Sequence, residues 1–336
     1  MGLCSVLSHR LTFLGFVAVP LQKILKFVFV FCIALVLAIP FSCKLLMPSF
    51  VTFEEMSSLL VSRANLSISD GLCRHDLERT VTREKVPLLY NASKSDLELL
   101  SRQWTGLKAG GAWSPVDCAS KYRVNVIVPF RNRESHLWIF LAYLHQFLQR
   151  QEIEYRIVIV EQTAEKLFNR AKLQNIGFVE MERRHPADCY VFHDIDLIPL
   201  NLNNLYACSV QPRHISSALD VFDFKLPYGT IFGGAVALTR RQFIDVNGYS
   251  NAFFGWGGED DDFYERVAAK YSVLRFEPLL AQMLMLNHTK EVPNPARFQT
   301  LRMGRQRYAT DGIGSLSYRL VNFQQKPFFT WILAEL

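Results

Sequence analysis

The sequence of 336 residues has no arginine-rich helix and no long basic run, so its formal charge of +6 leaves no footprint for nucleic acid. Neither the GxGxxG fingerprint nor a P-loop occurs, which excludes the phosphate-cradling turns of a Rossmann dehydrogenase or a P-loop kinase. No internal repeat is present. The chain is not short of apolar material: half its residues are hydrophobic and 26 are Phe. That exceeds what a disordered chain carries and is enough for one catalytic domain with an appendage.

One long apolar run stands out. Residues 27–43, FVFVFCIALVLAIPFSC, follow Lys23 and Lys26 and lie at the lower length limit for a bilayer span. A second apolar stretch, 11–21, precedes them. Arg10, Lys23 and Lys26 come before the run, while Lys44 alone follows closely, with Glu54 and Glu55 next. The positive-inside rule then puts the N-terminus in the cytosol and the remainder in a lumen. A cleaved signal peptide fits less well, because the apolar core starts late and its exit lacks the small-residue cleavage pattern. The expected organisation is a cytosolic tail (1–26), a signal anchor (27–43), a stem and lead-in (44–115) and a lumenal catalytic domain (116–336).

Cysteine is scarce. Cys4, Cys32 and Cys43 belong to the tail and span, leaving Cys73, Cys118, Cys189 and Cys208 beyond the membrane. An even number in an oxidising compartment favours two disulfides, with the pairing open. Asn65-Leu-Ser and Asn91-Ala-Ser are glycosylation sequons in the stem.

Regular structure is clearest from residue 122. RVNVIVPF (123–130) has the β-branched run of a buried strand. The segment ESHLWIFLAYLHQFLQRQ (134–151) places Leu137, Phe140, Leu141, Leu144, Phe147 and Leu148 on one helical face. Strands over 156–160 and 190–193 flank a helix over 168–181. This alternation predicts an α/β domain with a largely parallel sheet, whose ligands sit beyond the carboxyl ends of the strands. PFRNR (129–133) and Asp194-Ile-Asp196 both fall there.

Three clusters carry chemistry. Asp194-Ile-Asp196 ends a strand in two carboxylates, suited to a divalent cation on a diphosphate, although solvated turn aspartates look the same. FGWGGEDDD (254–262) is more specific: four consecutive carboxylates resist regular structure unless a cation or catalytic task recruits them, and Trp256 offers a face for a sugar ring. A helix N-terminus would account for Asp261 and Asp262, since FYERVAAKY looks helical. In Met285-Leu-Asn-His288 the His suits a transition metal and the Met is a poor match for magnesium; a core Met beside an ordinary His is the bland alternative.

PFRNR (129–133), FNRAK (168–172), DID (194–196), FGG (232–234), WGGEDDD (256–262), Met285-x-x-His288 and NPARF (294–298) occur in this order. Together they resemble the β-1,4-galactosyltransferase family, including its invertebrate N-acetylgalactosaminyltransferase branch, over roughly residues 115–325.

The resemblance implies a GT-A type α/β nucleotide-sugar-binding domain with a mixed, mostly parallel central sheet. It assigns the UDP moiety to Pro129, Phe130, Arg131, Arg133, Phe168 and Arg170, arginine forks being suited to phosphate oxygens. Asp194 and Gly234 would support the donor. Manganese would be held by Asp196, Met285 and His288. Asn287-His-Thr is formally a sequon, but a glycan there would obstruct His288, so it is expected to be unmodified. Asp260 would deprotonate the acceptor 4-hydroxyl, and a single displacement would invert the anomeric centre. Glu259 would hydrogen-bond the acceptor, Trp256 would sit on a loop closing over the donor, and Arg297, Phe298 and Leu301 would form the N-acetyl pocket. The implied disulfides are Cys73 with Cys118 and Cys189 with Cys208.

One departure bears on the donor. Ile231 stands where the vertebrate galactosyltransferase branch carries a tyrosine beside C2 of the sugar. An aliphatic residue there points to UDP-GalNAc, with UDP-Gal as the alternative. The acceptor is expected to be a GlcNAc-terminated glycolipid or glycoprotein at the Golgi membrane; transfer to xylose fits less well, because that branch departs from the GGEDDD run. A silent sugar-binding or escort protein has no need of a base beside a metal site. No auxiliary protein is read from the sequence.

Overall fold

The computed structural model describes residues 50–63, 71–73, 86–289 and 291–336. The expected tail, the span 27–43 and Asn65 lie outside the described residues, whereas Asn91 is exposed. Among the described residues no helix is long and apolar enough to cross a membrane.

Two short helices come first. Helix α1, Phe53–Leu59, is opened by a capping box of Thr52 and Glu55; α2, Lys94–Ser101, is opened by Ser93 and Asp96. Met56 and Leu97 are fully buried, and Leu97, Trp104 and Trp113 belong to the main hydrophobic core. These parts of the segment read as stem and lead-in thus fall within the compact unit Ser49–Leu336. The physical reason is their apolar side chains, which a solvated stem would leave in water.

The main sheet begins with β1, Ala112–Trp113, and β2, Arg123–Phe130. Helix α3, Glu134–Arg150, leads to β3, Glu154–Gln162; helix α4, Arg170–Arg184, leads to β4, Cys189–His193. Short strands β5 (Leu197–Pro199), β6 (Arg213–His214) and β7 (Ala218–Leu219) follow, then β8 (Ala235–Thr239) and helix α5 (Arg240–Asp245). Helix α6 is Glu259–Ala268, before β9 (Leu274–Arg275) and β10 (Gln282–Met285). Helices α7 (Arg297–Arg302) and α8 (Gly304–Arg307) precede β11 (Arg319–Gln325) and β12 (Thr330–Glu335).

The main sheet runs β11-β12-β3-β2-β4-β8-β6-β9, with β1 pairing β3. Its β12-β3-β2-β4 centre is parallel, but β8 is antiparallel to both β4 and β6, and β11 to β12. The sheet is therefore mixed: parallel pairing is found in its centre and between β6 and β9 at one edge, and it does not outnumber antiparallel pairing as expected. No crossover helix carries the chain from β4 to β8, so β8 enters from the edge where β4 ends and must run back.

The unbroken apolar run of β2 is explained by helices on both faces. Val124, Val126 and Val128 join the core with Leu137, Phe140, Leu141, Leu144, Phe147 and Leu148 of α3. Ile127 faces the second core, against Ile176 of α4. A Cβ on Gly177 would lie 2.4 Å from Ile127 Cγ2, so its absence lets α4 approach the sheet. Each fully buried Leu or Phe contributes roughly 1.5–3 kcal/mol. Both disulfides form as the resemblance implies, Cys73–Cys118 and Cys189–Cys208.

One sequence reading needs correction. The four carboxylates at 259–262 do not resist helix: all occupy the first turn of α6. The N-terminal end of the dipole favours them there, and Arg266 removes one from the conflict by donating to Asp262 at 2.7 Å.

Candidate active site

The carboxyl edge of the parallel strands collects most of the singled-out residues. β2 ends at Phe130 and its neighbour β4 at His193, so Arg131, Arg133, Asp194 and Asp196 emerge there. Antiparallel β8 starts at this edge, which brings Gly233 and Gly234 to the same place. The Asp194 N–H donates to the Gly234 carbonyl at 2.9 Å. Gly234 has φ +75°, and a Cβ there would lie 2.5 Å from Ser216 Oγ. A Cβ on Gly233 would lie 2.7 Å from Asp260 Oδ2, so a side chain there would push the Asp260 carboxylate from this position.

Arg170 ties the edge together. Asn169 caps α4 by accepting the Lys172 N–H at 2.8 Å, which sets Arg170 at the first helical position. Arg170 Nε donates to Asp194 Oδ1 at 2.5 Å, and its Nη1 lies 3.8 Å from Glu259 Oε1. One guanidinium thus joins the end of β4 to the start of α6. Burial pushes Asp194 up to about 6, with Asp196 and Asp260 adding to the rise and Arg170 opposing it. Burial and Asp260 push Glu259 up to about 7, again against Arg170. Burial thus holds two carboxyls at this edge above the usual carboxylate range.

The Asp-x-Asp and Met-x-x-His clusters meet through a second, three-stranded sheet, β5-β10-β7. β10 is antiparallel to β5, with Met285 opposite Leu197, the residue after Asp196. The Leu286 N–H donates to the Asp196 carbonyl at 2.7 Å, and His288 Nε2 lies 3.0 Å from Asp196 Oδ2. His288 is raised chiefly by this hydrogen bond; at Asp196 burial, the largest single influence, is opposed by the hydrogen bond and charge of His288 with smaller contributions from the backbone and His136, which together hold the carboxyl below its usual range. His288 Nδ1 donates to the Thr289 carbonyl at 3.0 Å, so Nε2 is the nitrogen turned to the aspartate. Cis ligands about 2.1 Å from an octahedral ion lie about 3.0 Å apart. A carboxylate, an imidazole and a thioether make a mixed set suited to a transition metal rather than magnesium.

In the PFRNR motif, Pro129 pairs with Val160 inside the sheet and Phe130 is buried in the main core. The Arg131 guanidinium lies 5.2 Å from the Phe168 ring centroid, and Arg133 is 3.7 Å from Glu291. On the opposite side the glycine-rich loop and NPARF meet directly. Gly255 N–H donates to the Phe168 carbonyl at 2.8 Å, and Asn294 N–H to the Trp256 carbonyl at 3.0 Å. Arg297 lies over Trp256 at 5.8 Å and over Phe298 at 4.4 Å, while Leu301 is half-buried on α7. Trp256 and Phe298 are exposed. Ile231 is half-buried, its carbonyl accepting from Arg275 Nη2 at 2.9 Å. Asn287 is exposed beside His288.

Sequence reasoning passed over four residues. Arg275 also donates to the Gly229 carbonyl; Tyr228 donates to Asp261 Oδ1 at 2.9 Å; Asp220 accepts the Met285 N–H at 2.8 Å; and His136 Nε2 donates to the Asn287 carbonyl at 3.1 Å. Each is a lone polar residue whose partner lies far along the chain, and no local pattern marks it.

Two family profiles match this chain: the N-terminal region of glycosyl transferase group 7 over residues 73–209, and the N-terminal domain of galactosyltransferase over 213–289. Mouse beta-1,4-galactosyltransferase 2 is 41% identical over 73% of this chain and 68% of its own length. The chain belongs to the β-1,4-galactosyltransferase family. Bovine beta-1,4-galactosyltransferase 1 is 44% identical over 72% of this chain, and the chain spans 61% of that relative's length. The catalytic domain of Drosophila β1,4-galactosyltransferase 7, solved with xylobiose, superposes with a TM-score of 0.54 at 27% identity. It covers 64% of this chain and 93% of its own, and makes the fold of this family member GT-A-like. A mutant of that Drosophila enzyme was solved with manganese, UDP-Gal and xylobiose, with a TM-score of 0.53.

Proposed function

We propose that this protein is an inverting, manganese-dependent glycosyltransferase that moves GalNAc from UDP-GalNAc to the 4-hydroxyl of a terminal GlcNAc. The observation that carries the reading is the Arg170 bridge between Asp194 and Glu259, with Asp260 seated against Gly233 at the same strand edge. On this reading Asp260 would be the acceptor-side base at the same edge as the donor-side carboxylate Asp194, with the Arg170 cation between Asp194 and Glu259. Asp260 would take the hydroxyl proton during attack on the anomeric carbon. Glu259 would hydrogen-bond the acceptor, and Arg131, Arg133 and Arg170 would serve the nucleotide diphosphate. Trp256 would cover the donor and exclude water, while Arg297, Phe298 and Leu301 would receive the N-acetyl group. Asp196, Met285 and His288 would hold Mn2+, which when bound offsets charge on the departing UDP.

Ile231 supports GalNAc as the preferred donor, since an aliphatic side chain brings neither ring nor hydroxyl to the C2 substituent. The names of the relatives support UDP-Gal equally, and galactosyl transfer to the same acceptor is the second reading. The decisive experiment screens UDP-GalNAc and UDP-Gal against a GlcNAc-terminated acceptor, with and without manganese. Strong preference for UDP-Gal overturns the donor assignment; no transfer from either overturns the activity. We further propose a single-pass type II Golgi membrane protein acting on glycolipid or glycoprotein acceptors, with glycans on Asn65 and Asn91 and none on Asn287.

A further inference from the structure

The Met285–His288 segment is held by side chains from elements that carry none of the three metal ligands. Parallel pairing of β10 with β7 stops at Met283 opposite Leu219. Two residues further on, the Met285 N–H has no β7 carbonyl to meet. The carboxylate of Asp220, the residue after Leu219, takes that place at 2.8 Å. On the other flank the Leu286 N–H is taken by the Asp196 carbonyl. One residue later the Asn287 carbonyl accepts a hydrogen bond from His136 Nε2, in the first turns of α3. Because a carbonyl can only accept, this bond fixes the His136 tautomer with hydrogen on Nε2. His136 is buried, its Nδ1 has no hydrogen-bond partner, and its ring meets that of His288 edge-on at 6.4 Å. The unpaired Nδ1 carries a desolvation cost that the Nε2 bond to the Asn287 carbonyl helps to offset.

We infer that Asp220 and His136 are positioning residues for the metal site, setting manganese affinity by fixing the backbone on either side of its ligands. Asp220 holds the Met285 backbone; His136 holds the residue before His288. Neither touches the ion. Between them they decide whether the thioether and the imidazole reach the Asp196 carboxylate together, as outer-sphere partners of metal ligands do. This inference rests on the metal reading of Asp196, Met285 and His288.

The test measures Mn2+ binding to the full-length protein in detergent by electron paramagnetic resonance, without donor or acceptor. The variants are D220A, D220N, H136F and H136Q, with D196A as control, and thermal unfolding is followed in chelator. D220A and H136F are expected to weaken Mn2+ binding about tenfold or more. D220N keeps an acceptor oxygen and H136Q keeps a donor, so both should stay within about threefold of the parent. Unchanged Mn2+ affinity in folded D220A and H136F, with binding lost in D196A, overturns the inference and leaves the metal site standing. Absence of binding in the parent overturns both. If D220A or H136F fails to fold, D220N and H136Q decide: a loss of affinity equal to that of D196A in either folded variant counts against backbone positioning.

Discussion

The proposed donor half and the proposed acceptor half of this site are built in opposite ways. On the donor half, charged groups emerge from the ends of fully buried strands, and Arg170 is held between two carboxylates with little access to water. On the acceptor half, the short helix α7 presents Phe298 at 60% exposure, beside the loop that carries Trp256 at 54%. Charge therefore sits where the scaffold is stiff and the surroundings are dry, which strengthens each interaction and holds its geometry. Apolar faces sit where the chain is least enclosed, and large exposed aromatics beside a polar site are what a sugar ring can cover.

The largest test of this contrast is at the seam. Replacing Asp260 by Asn should lower kcat about a thousandfold, the scale of general-base catalysis, with the melting temperature little changed. A transfer assay on folded protein checks it. Next, R170L should cost about a hundredfold in kcat/KM, because Asp194 and Glu259 lose their shared cation and their geometry. A loss confined to stability, with catalysis intact in the folded fraction, would break the view of Arg170 as part of the site.

A comparable effect on folding comes from pH. His145 is buried between the Tyr155 hydroxyl at 2.7 Å and the Phe328 carbonyl at 2.9 Å, and burial lowers it to about 4. His214 is lowered to about 3 by burial and Arg275. The unfolded chain takes up these protons first, near pH 6.5, so their contribution is complete above that pH and is lost as pH falls toward 4. At pH 4.5 His145 alone accounts for roughly 3 kcal/mol. Urea unfolding at pH 7 and 4.5 measures this, and H145Q should flatten the dependence.

Smaller effects separate the two halves. I231Y should shift the ratio of UDP-GalNAc to UDP-Gal turnover about tenfold toward UDP-Gal, the size of effect that pocket crowding gives. F298A should raise acceptor KM a few-fold while leaving donor KM unaltered and stability within about 0.5 kcal/mol, because the ring is largely exposed. A rise in donor KM instead would merge the halves.

Much of the donor half was legible in the sequence. The β-branched run 123–130 and the apolar spacing of α3 are local periodicities, and the observed strand and helix match them closely. The motifs at 129–133 and 194–196 follow strand ends and so fall at the ligand edge. The acceptor half was legible only as motifs, because α7 and α8 are too short to leave a period. The helical start of α6 was obscured by its charge, since carboxylate repulsion is local while Arg266 is a turn away and Arg170 is 89 positions earlier in the chain. The compact packing of residues 94–113 was missed for a similar reason: scattered Leu and Trp show no pattern until a core receives them.

By itself the sequence determined which segments become buried strands and helices, and which charged groups stand at their ends, because side-chain period and turn chemistry act between near neighbours. Only the tertiary structure decided that β10 returns beside β5 to bring His288 to Asp196, that Arg170 chooses Asp194 and Glu259, and that β8 runs backward to open room for Asp260. Those pairings join residues far apart in the chain, and their energy depends on burial and distance that no local pattern encodes.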